Sequence, residues 1–234
     1  MFETTVRDGV LQARSPDSRW LLTGFGGGYS DREAVYNVSV PEGWNRTDLD
    51  AYAAERREAA GFDVPGPALL TGVDMEHAAG AELDGVRVVA TVGLSNPAAL
   101  PMEPDGTVPP GLVSEEPPEA GTVNLLVGTD RRLSDGALAT LMAVAVEAKA
   151  ATLQQVTGFS GTTSDAVAVG TDRGGEESTF AGSATGVGDA TRAAVREAIR
   201  KSFESRYAPE APPTSVESAD SGIVTSRRAE VFHP

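Results

Sequence analysis

The sequence predicts an α/β or α+β domain, a mixed central β-sheet with helices packed on it. Three observations carry this expectation. The apolar runs at 86–94 and 122–129 are nearly continuous, as in strands covered on both faces. A helix-period pattern fills 135–156. Strands alternate with helices along only part of the chain, which argues against an all-parallel sheet. A length of 234 residues suits one domain. We place it at 1–207, with 208–234 as a loose Pro- and Ser-rich tail.

In chain order, 19–25 reads as a strand. Gly26, Gly27 and Gly28 open a turn, and 34–40 alternates at period two, with Val35, Asn37 and Ser39 on one face. Together these suggest a hairpin. Thr47 or Asp48 caps a helix that runs to about Ala60 and stops at Gly61. Strands follow at 86–94 and 122–129. The 95–121 connection between them carries seven prolines and no periodicity, which suggests a lid or binding loop. Ser134 caps the helix 135–156, Gly158 ends it, and 166–171 is the next strand. Asp189 caps a final helix to about Tyr207, with Val195, Ile199 and Phe203 as its apolar stripe. A last edge strand is expected within 222–232.

Charge is the strongest compositional fact. Asp plus Glu is 34 against 19 basic residues, a net charge of −15, and only Lys149 and Lys201 are lysines. The acids are scattered rather than blocked, which favours adaptation to high salt over an acidic docking patch. Nucleic acid is excluded as a partner, because phosphate binding needs a basic face. With no cysteine, disulfides and thiolate chemistry are excluded. No run of eighteen apolar residues is present, so no membrane span is expected. The N-terminus shows no secretory signal, so a cytoplasmic location is expected. Asp74, Glu76 and His77 do not form a recognisable metal spacing, and no metal site is assigned. The serine-hydrolase and nucleotide-loop motifs are missing. The sequence leaves the oligomeric state open, homo-oligomers included.

The most informative stretch is 158–170. Thr162, Thr163, Ser164 and Asp165 gather at a junction between the 135–156 helix and a buried strand. Such junctions are exposed and rigidly held. They also hold hydroxyls that only satisfy backbone groups. Lys149 falls within the apolar stripe of that helix, between the azimuths of Leu138 and Met142, while Glu147 falls opposite. A lysine there is either a snorkelling stem or a group paired with a carboxylate.

Several blocks stand in a fixed order. They are Gly-Gly-Gly-Tyr with Tyr-Asn-Val-Ser-Val at 26–40, Thr-Val-Gly-Leu at 91–94 and Gly-Thr-Val-Asn-Leu-Leu at 121–126. Leu-Ser-Asp-Gly-Ala-Leu with Glu-Ala-Lys-Ala-Ala follows at 133–151, then Gly-Thr-Thr-Ser-Asp-Ala-Val at 161–167. In this order, over roughly residues 15–207, the chain resembles the adenosylcobinamide amidohydrolases of archaeal corrinoid salvage, in a haloarchaeal version. The resemblance implies hydrolysis of the amide joining the aminopropanol arm to the corrin ring, releasing adenosylcobyric acid. The corrinoid is then the substrate and no cofactor is called for. The alternative is a corrinoid-binding or carrier protein without catalysis.

Amide hydrolysis needs an attacking oxygen, donors for the oxyanion and an acid for the leaving amine. On those grounds Thr162, Thr163 or Ser164 is the nucleophile or orients water. Asp165 is the base and Lys149 the acid or electrostatic helper. Asn124 and the 162–164 backbone are oxyanion donors. Gly26, Gly27, Gly28, Asn37 and Glu147 are the candidate substrate contacts, and 95–121 the lid. Self-cleavage before Thr162 would instead expose an N-terminal threonine nucleophile. A single species of 24.2 kDa rules that out.

Overall fold

The computed structural model describes residues 1–104, 106, 121–208 and 211–234. The elements are β1 (Glu3–Arg7), β2 (Val10–Arg14), β3 (Ser18–Leu22), β4 (Gly28–Ser30), β5 (Ala34–Ser39), α1 (Leu49–Ala59), β6 (Ala68–Thr71), β7 (Ala79–Leu83) and β8 (Val86–Val92). After these come β9 (Pro97–Ala99), β10 (Val123–Thr129), β11 (Arg132–Leu133), α2 (Asp135–Thr157), β12 (Gly161–Thr162), β13 (Ala166–Asp172), β14 (Glu177–Ser178), α3 (Gly186–Tyr207) and β15 (Ile223–Val224).

A six-stranded mixed sheet runs β4-β3-β13-β10-β8-β7, with β10 and β13 its parallel pair. This is the expected mixed sheet. A second sheet, β1-β2-β5-β6, lies against it. Side-chain alternation sorts the core into three sandwiched layers. Val88, Leu125, Val127, Val167 and Val169 face α2 and α3. Trp20, Leu126 and Ala168 meet Phe2, Leu11, Val35 and Leu69 between the sheets. Tyr36, Val38 and Ala68 face α1 through Tyr52 and Ala53. The result is helix, sheet, sheet, helix.

The β1–β2 hairpin of the second sheet and the edge strand β7 of the first were hidden because these strands are short and joined by tight turns. Asp8-Gly9 (φ 46° and 73°) joins β1 to β2, and Asp84-Gly85 (φ 44° and 78°) joins β7 to β8. Both are Asp-Gly hairpin turns with two left-handed residues, the strongest short-range hairpin signal a sequence carries. The first strand of each, β1 and β7, has no buried residue and offers little apolar period.

The expected 19–25/34–40 hairpin does not form. β3 pairs instead with the short β4, Trp20 opposite Ser30, while β5 crosses to the other sheet and lies between β2 and β6. The reason is that both faces of β5 are buried, which only a strand between two layers satisfies. The last helix begins earlier than expected. Thr185, not Asp189, caps it, its hydroxyl accepting from Gly188 N at 3.1 Å. Ser134 caps α2 as expected, and Gly158 ends it at φ 80°.

By length and composition α2 is apolar enough to cross a membrane, its best window having mean hydropathy 1.4. It is a core helix here. Leu138, Leu141, Ala145 and Leu153 are fully buried in the layer shared with α3. Of the 95–121 connection, residue 105 and residues 107–120 lie outside the described residues, and the expected lid with them. Its beginning forms β9, which lies between β12 and β15 in a small separate sheet. The edge strand expected within 222–232 shortens to β15.

Candidate functional site

The two sheets splay at one end and leave a pocket of about 370 Å³. Strand alternation explains its lining. On β10 the odd residues face the helices, so Thr122 and Asn124 point between the sheets. Thr122 lines the pocket at the mouth, and Asn124 lies one step deeper. Thr163, Ser164 and Asp165 form the adjoining wall, and Thr23 to Phe25 come from the end of β3. Leu69, Leu70, Val40, Leu49 and Trp44 supply an apolar wall opposite. Trp44 is held against Tyr52 with ring centroids 5.1 Å apart, and the Arg46 guanidinium lies 5.2 Å from the same Tyr52 ring.

Behind the polar wall, Lys149 is paired with Asp165, and the two side chains are only 7 % and 12 % exposed. The stripe position of Lys149 is therefore a buried ion pair and not a snorkelling stem. Asp165 also accepts from Thr162 Oγ1 at 2.5 Å, from Thr162 N at 3.2 Å and from Val123 N at 2.9 Å. A carboxylate offers about four lone-pair sites, so its acceptor capacity is filled. Gly161 makes room for the pair: a Cβ there would stand 2.5 Å from Asp165 Oδ2 and 3.3 Å from Lys149 Nζ.

A second network fixes the two hydroxyls that face the pocket. Asn96 Nδ2 donates to Thr163 Oγ1 at 2.8 Å and to Ser164 Oγ at 3.1 Å. Ser164 Oγ donates to the Gly121 carbonyl at 3.1 Å. Asn96 sits just ahead of β9, so the start of the 95–121 connection positions the 162–165 turn. Asn96 carries no local signal, because its role depends on which strands become neighbours.

The expected residues are thus partly gathered. Thr162, Thr163, Ser164, Asp165 and Lys149 form one cluster. Asn124 was expected to donate to an oxyanion. Its two amide hydrogens are instead committed to Asn37 Oδ1 (2.9 Å) and the Leu70 carbonyl (2.8 Å). Asn37 in turn donates to Thr91 Oγ1 at 3.0 Å. Both asparagines bridge the sheets beneath the pocket, and Asn37 is not on its surface. Gly26 to Gly28 form the tip of the β3–β4 hairpin beside the pocket, and the glycines that line it are Gly24 and Gly72. Glu147 lies on the exposed side of α2, paired with Arg192 and away from the cluster. No group of three or more metal-ligating side chains occurs among the described residues. Thr122 and Trp44 were missed. Thr122 stands in a quoted sequence block, but only the strand register shows which way it faces.

Comparison with known proteins gives a consistent answer. A family model described as adenosylcobinamide amidohydrolase matches residues 2–211. An adenosylcobinamide amidohydrolase of Halobacterium salinarum is 53 % identical, with all of both chains covered. One from Methanosarcina mazei is 31 % identical over 81 % of this chain and 92 % of its own. Among solved structures, a Pyrococcus horikoshii protein matches with TM-score 0.42 and 15 % identity, covering 86 % of this chain and 78 % of its own. A Burkholderia β-aminopeptidase matches with TM-score 0.41 and 15 % identity, covering 86 % and 80 %. By the family match and these two relatives, the chain belongs to the adenosylcobinamide amidohydrolase family.

Proposed function

We propose that the pocket between the splayed sheets is where the aminopropanol amide of adenosylcobinamide is hydrolysed. Membership of the family makes the chain an amide-hydrolysing enzyme of corrinoid salvage. The observation that carries the location is the buried Lys149–Asp165 pair ending on a pocket whose opposite wall is apolar. A corrinoid with its side chains is too bulky for 370 Å³. The reading is therefore that only the arm bearing the amide enters, while the macrocycle rests across the mouth. Pockets of this size take small groups on an apolar lining with a few polar anchors.

In this reading Thr163 and Ser164 hold the attacking water. Neither hydroxyl is bonded to a carboxylate, whereas Asp165 lines the same wall. Of the four donors on Asp165, the Thr162 hydroxyl alone turns away by a single bond rotation, freeing a lone pair for the proton of the attacking water. The Lys149 ammonium pairs with the other carboxylate oxygen and supplies the proton that the leaving amine takes up. Asn96, Asn124 and Asn37 are positioning residues. The chain acts without a resident cofactor, in the cytoplasm of a salt-adapted archaeon.

The test is aminopropanol release from adenosylcobinamide at molar salt. Ser164→Ala with folding intact, and Asp165→Asn per folded molecule since it leaves the buried Lys149 ammonium unpaired, should each lower kcat by about 100-fold or more. Thr162→Val should cost less than Asp165→Asn. Full activity in the first two variants would move the site elsewhere. Saturable corrinoid binding without aminopropanol release would favour the carrier reading.

A further inference from the structure

Thr122 is 6 % exposed, lines the pocket, and its Oγ1 has no hydrogen-bond partner among the described residues. Buried hydroxyls are almost always paired, so an orphan needs a cause. Nothing in the fold explains this one. The Thr122 carbonyl accepts from Gly93 N at 3.0 Å, which extends the β10–β8 ladder and fixes the backbone. Its neighbours hold the two reactive groups: the Gly121 carbonyl takes the Ser164 hydroxyl, and Val123 N–H donates to Asp165. Thr122 is thus wedged between the anchors of Ser164 and Asp165, with its side chain on the pocket side of the strand.

Several other donors of this wall are already used, and the Thr163 hydroxyl, which accepts from Asn96, is one of the two that hold the attacking water in the reading above. Ser164 donates to Gly121, Thr162 to Asp165, and both amide hydrogens of Asn124 stay within the fold. We propose that the Thr122 hydroxyl hydrogen-bonds the carbonyl oxygen of the scissile amide and stabilises the negative charge that develops on it. The assignment rests on the hydrolase reading above. A hydroxyl fixed by a rigid strand and lacking a competing partner needs no rearrangement to serve a growing oxyanion, which is the condition for such a donor to be effective. No bond to Thr122 forms or breaks. It contributes one hydrogen bond that is stronger in the transition state than in the bound substrate, so its loss falls on kcat.

The experiment is Thr122→Val beside Thr122→Ser, with aminopropanol release and thermal melting measured on the same full-length preparations. Thr122→Val should lower kcat by about 100-fold with KM little changed, and Thr122→Ser should restore most of it. Because the hydroxyl has no partner among the described residues, Thr122→Val should melt at or above the wild-type temperature. A purely structural hydroxyl would give the opposite pattern, a lower melting temperature with kcat intact. Thr122→Val retaining kcat within twofold, or melting more than about 4 °C lower, overturns the assignment. A wild-type protein that releases no aminopropanol overturns the hydrolase reading and this role together. An active wild type with an equally active Thr122→Val overturns this role alone.

Discussion

Asn124 on β10 and Asn37 on β5 are joined across the gap between the two sheets, Nδ2 to Oδ1 at 2.9 Å. Each is also bonded onward, Asn37 to Thr91 and Asn124 to the Leu70 carbonyl, and the Asn124 side-chain oxygen accepts from Ala166 N. Both residues are at most 2 % exposed. This polar bridge fixes how the sheets open above it, and the pocket is that opening.

Removing either asparagine leaves the partner's polar atoms buried and unpaired. Asn124→Ala and Asn37→Ala should each destabilise by about 1–3 kcal/mol. The double variant should cost clearly less than the sum, since the second change removes groups the first has already orphaned. Urea unfolding of the four proteins measures the coupling. Strict additivity would mean that the two residues do not act as one bridge.

The Lys149–Asp165 pair makes a sharper case. Lys149→Met leaves a mostly buried carboxylate without its counter-charge and should cost about 3–5 kcal/mol. The Lys149→Met/Asp165→Asn double variant removes both charges and should recover part of that loss in stability. It should recover no activity, because neither proton step is then served. A double variant with activity above that of Lys149→Met would separate the pair from the chemistry.

The sequence made the helices and central strands legible because their signals are local. Ser134, Gly158 and the 86–94 and 122–129 runs each state their own structure. The cluster at 162–165 with Lys149 was also readable, since a hydroxyl-rich turn and a lysine in an apolar stripe are anomalies visible without a fold. What could not be read was sheet membership. β5 looks like a hairpin partner for β3, and only its two buried faces move it to the second sheet. Asn37 looked like a substrate contact and Asn124 like an oxyanion donor because a buried polar residue and a functional one give the same one-dimensional signal. Thr122 and Asn96 gave none, since their meaning arises from register.

The segment after 210 is bound to the site through β9. Ser221 N donates to the Ser95 carbonyl at 3.0 Å and Thr225 N to the Ala99 carbonyl at 2.9 Å, bracketing Asn96. Ile223 lies opposite Ala98. A protein ending at Asp220 therefore loses one edge of β9 and the fixed position of the Asn96 amide that holds Thr163 and Ser164. We expect kcat to fall about tenfold to a hundredfold, as for a misplaced catalytic group, with far-UV circular dichroism nearly unchanged. Undiminished kcat would show that Asn96 is held without the tail.

Acid should act on the apolar wall. Hydrogen bonds from Arg46 hold the Asp48 and Glu55 carboxyls below their ordinary pKa values. The same guanidinium lies over Tyr52, on which Trp44 is packed. A carboxyl whose folded pKa is lowered adds stability above its unfolded pKa and loses it as pH falls through the folded value. The clamp is therefore intact at neutral pH and releases below about pH 4. Trp44 fluorescence should shift in that range before global unfolding, and Arg46→Met should remove the early transition. A shift that persists in Arg46→Met would assign it to other carboxylates.

Salt should act broadly on the stability of this fold. The acids exceed the bases by 15, and the Halobacterium relative matches along the full length. Most ion pairs here are exposed arginine–carboxylate contacts, each contributing little. Repulsion among the surplus carboxylates is then the term that salt changes. The screening length falls from about 10 Å at 0.1 M to about 3 Å at 1 M, so repulsion between neighbouring acids is largely quenched by molar salt. The melting temperature should rise steeply over that range. Sulfate also strengthens apolar burial by exclusion from the surface, which chloride does weakly. Potassium chloride and potassium sulfate compared at equal ionic strength separate the two causes. Coinciding curves below 1 M assign the effect to screening, and a melting temperature independent of salt would remove the halophilic reading of the composition.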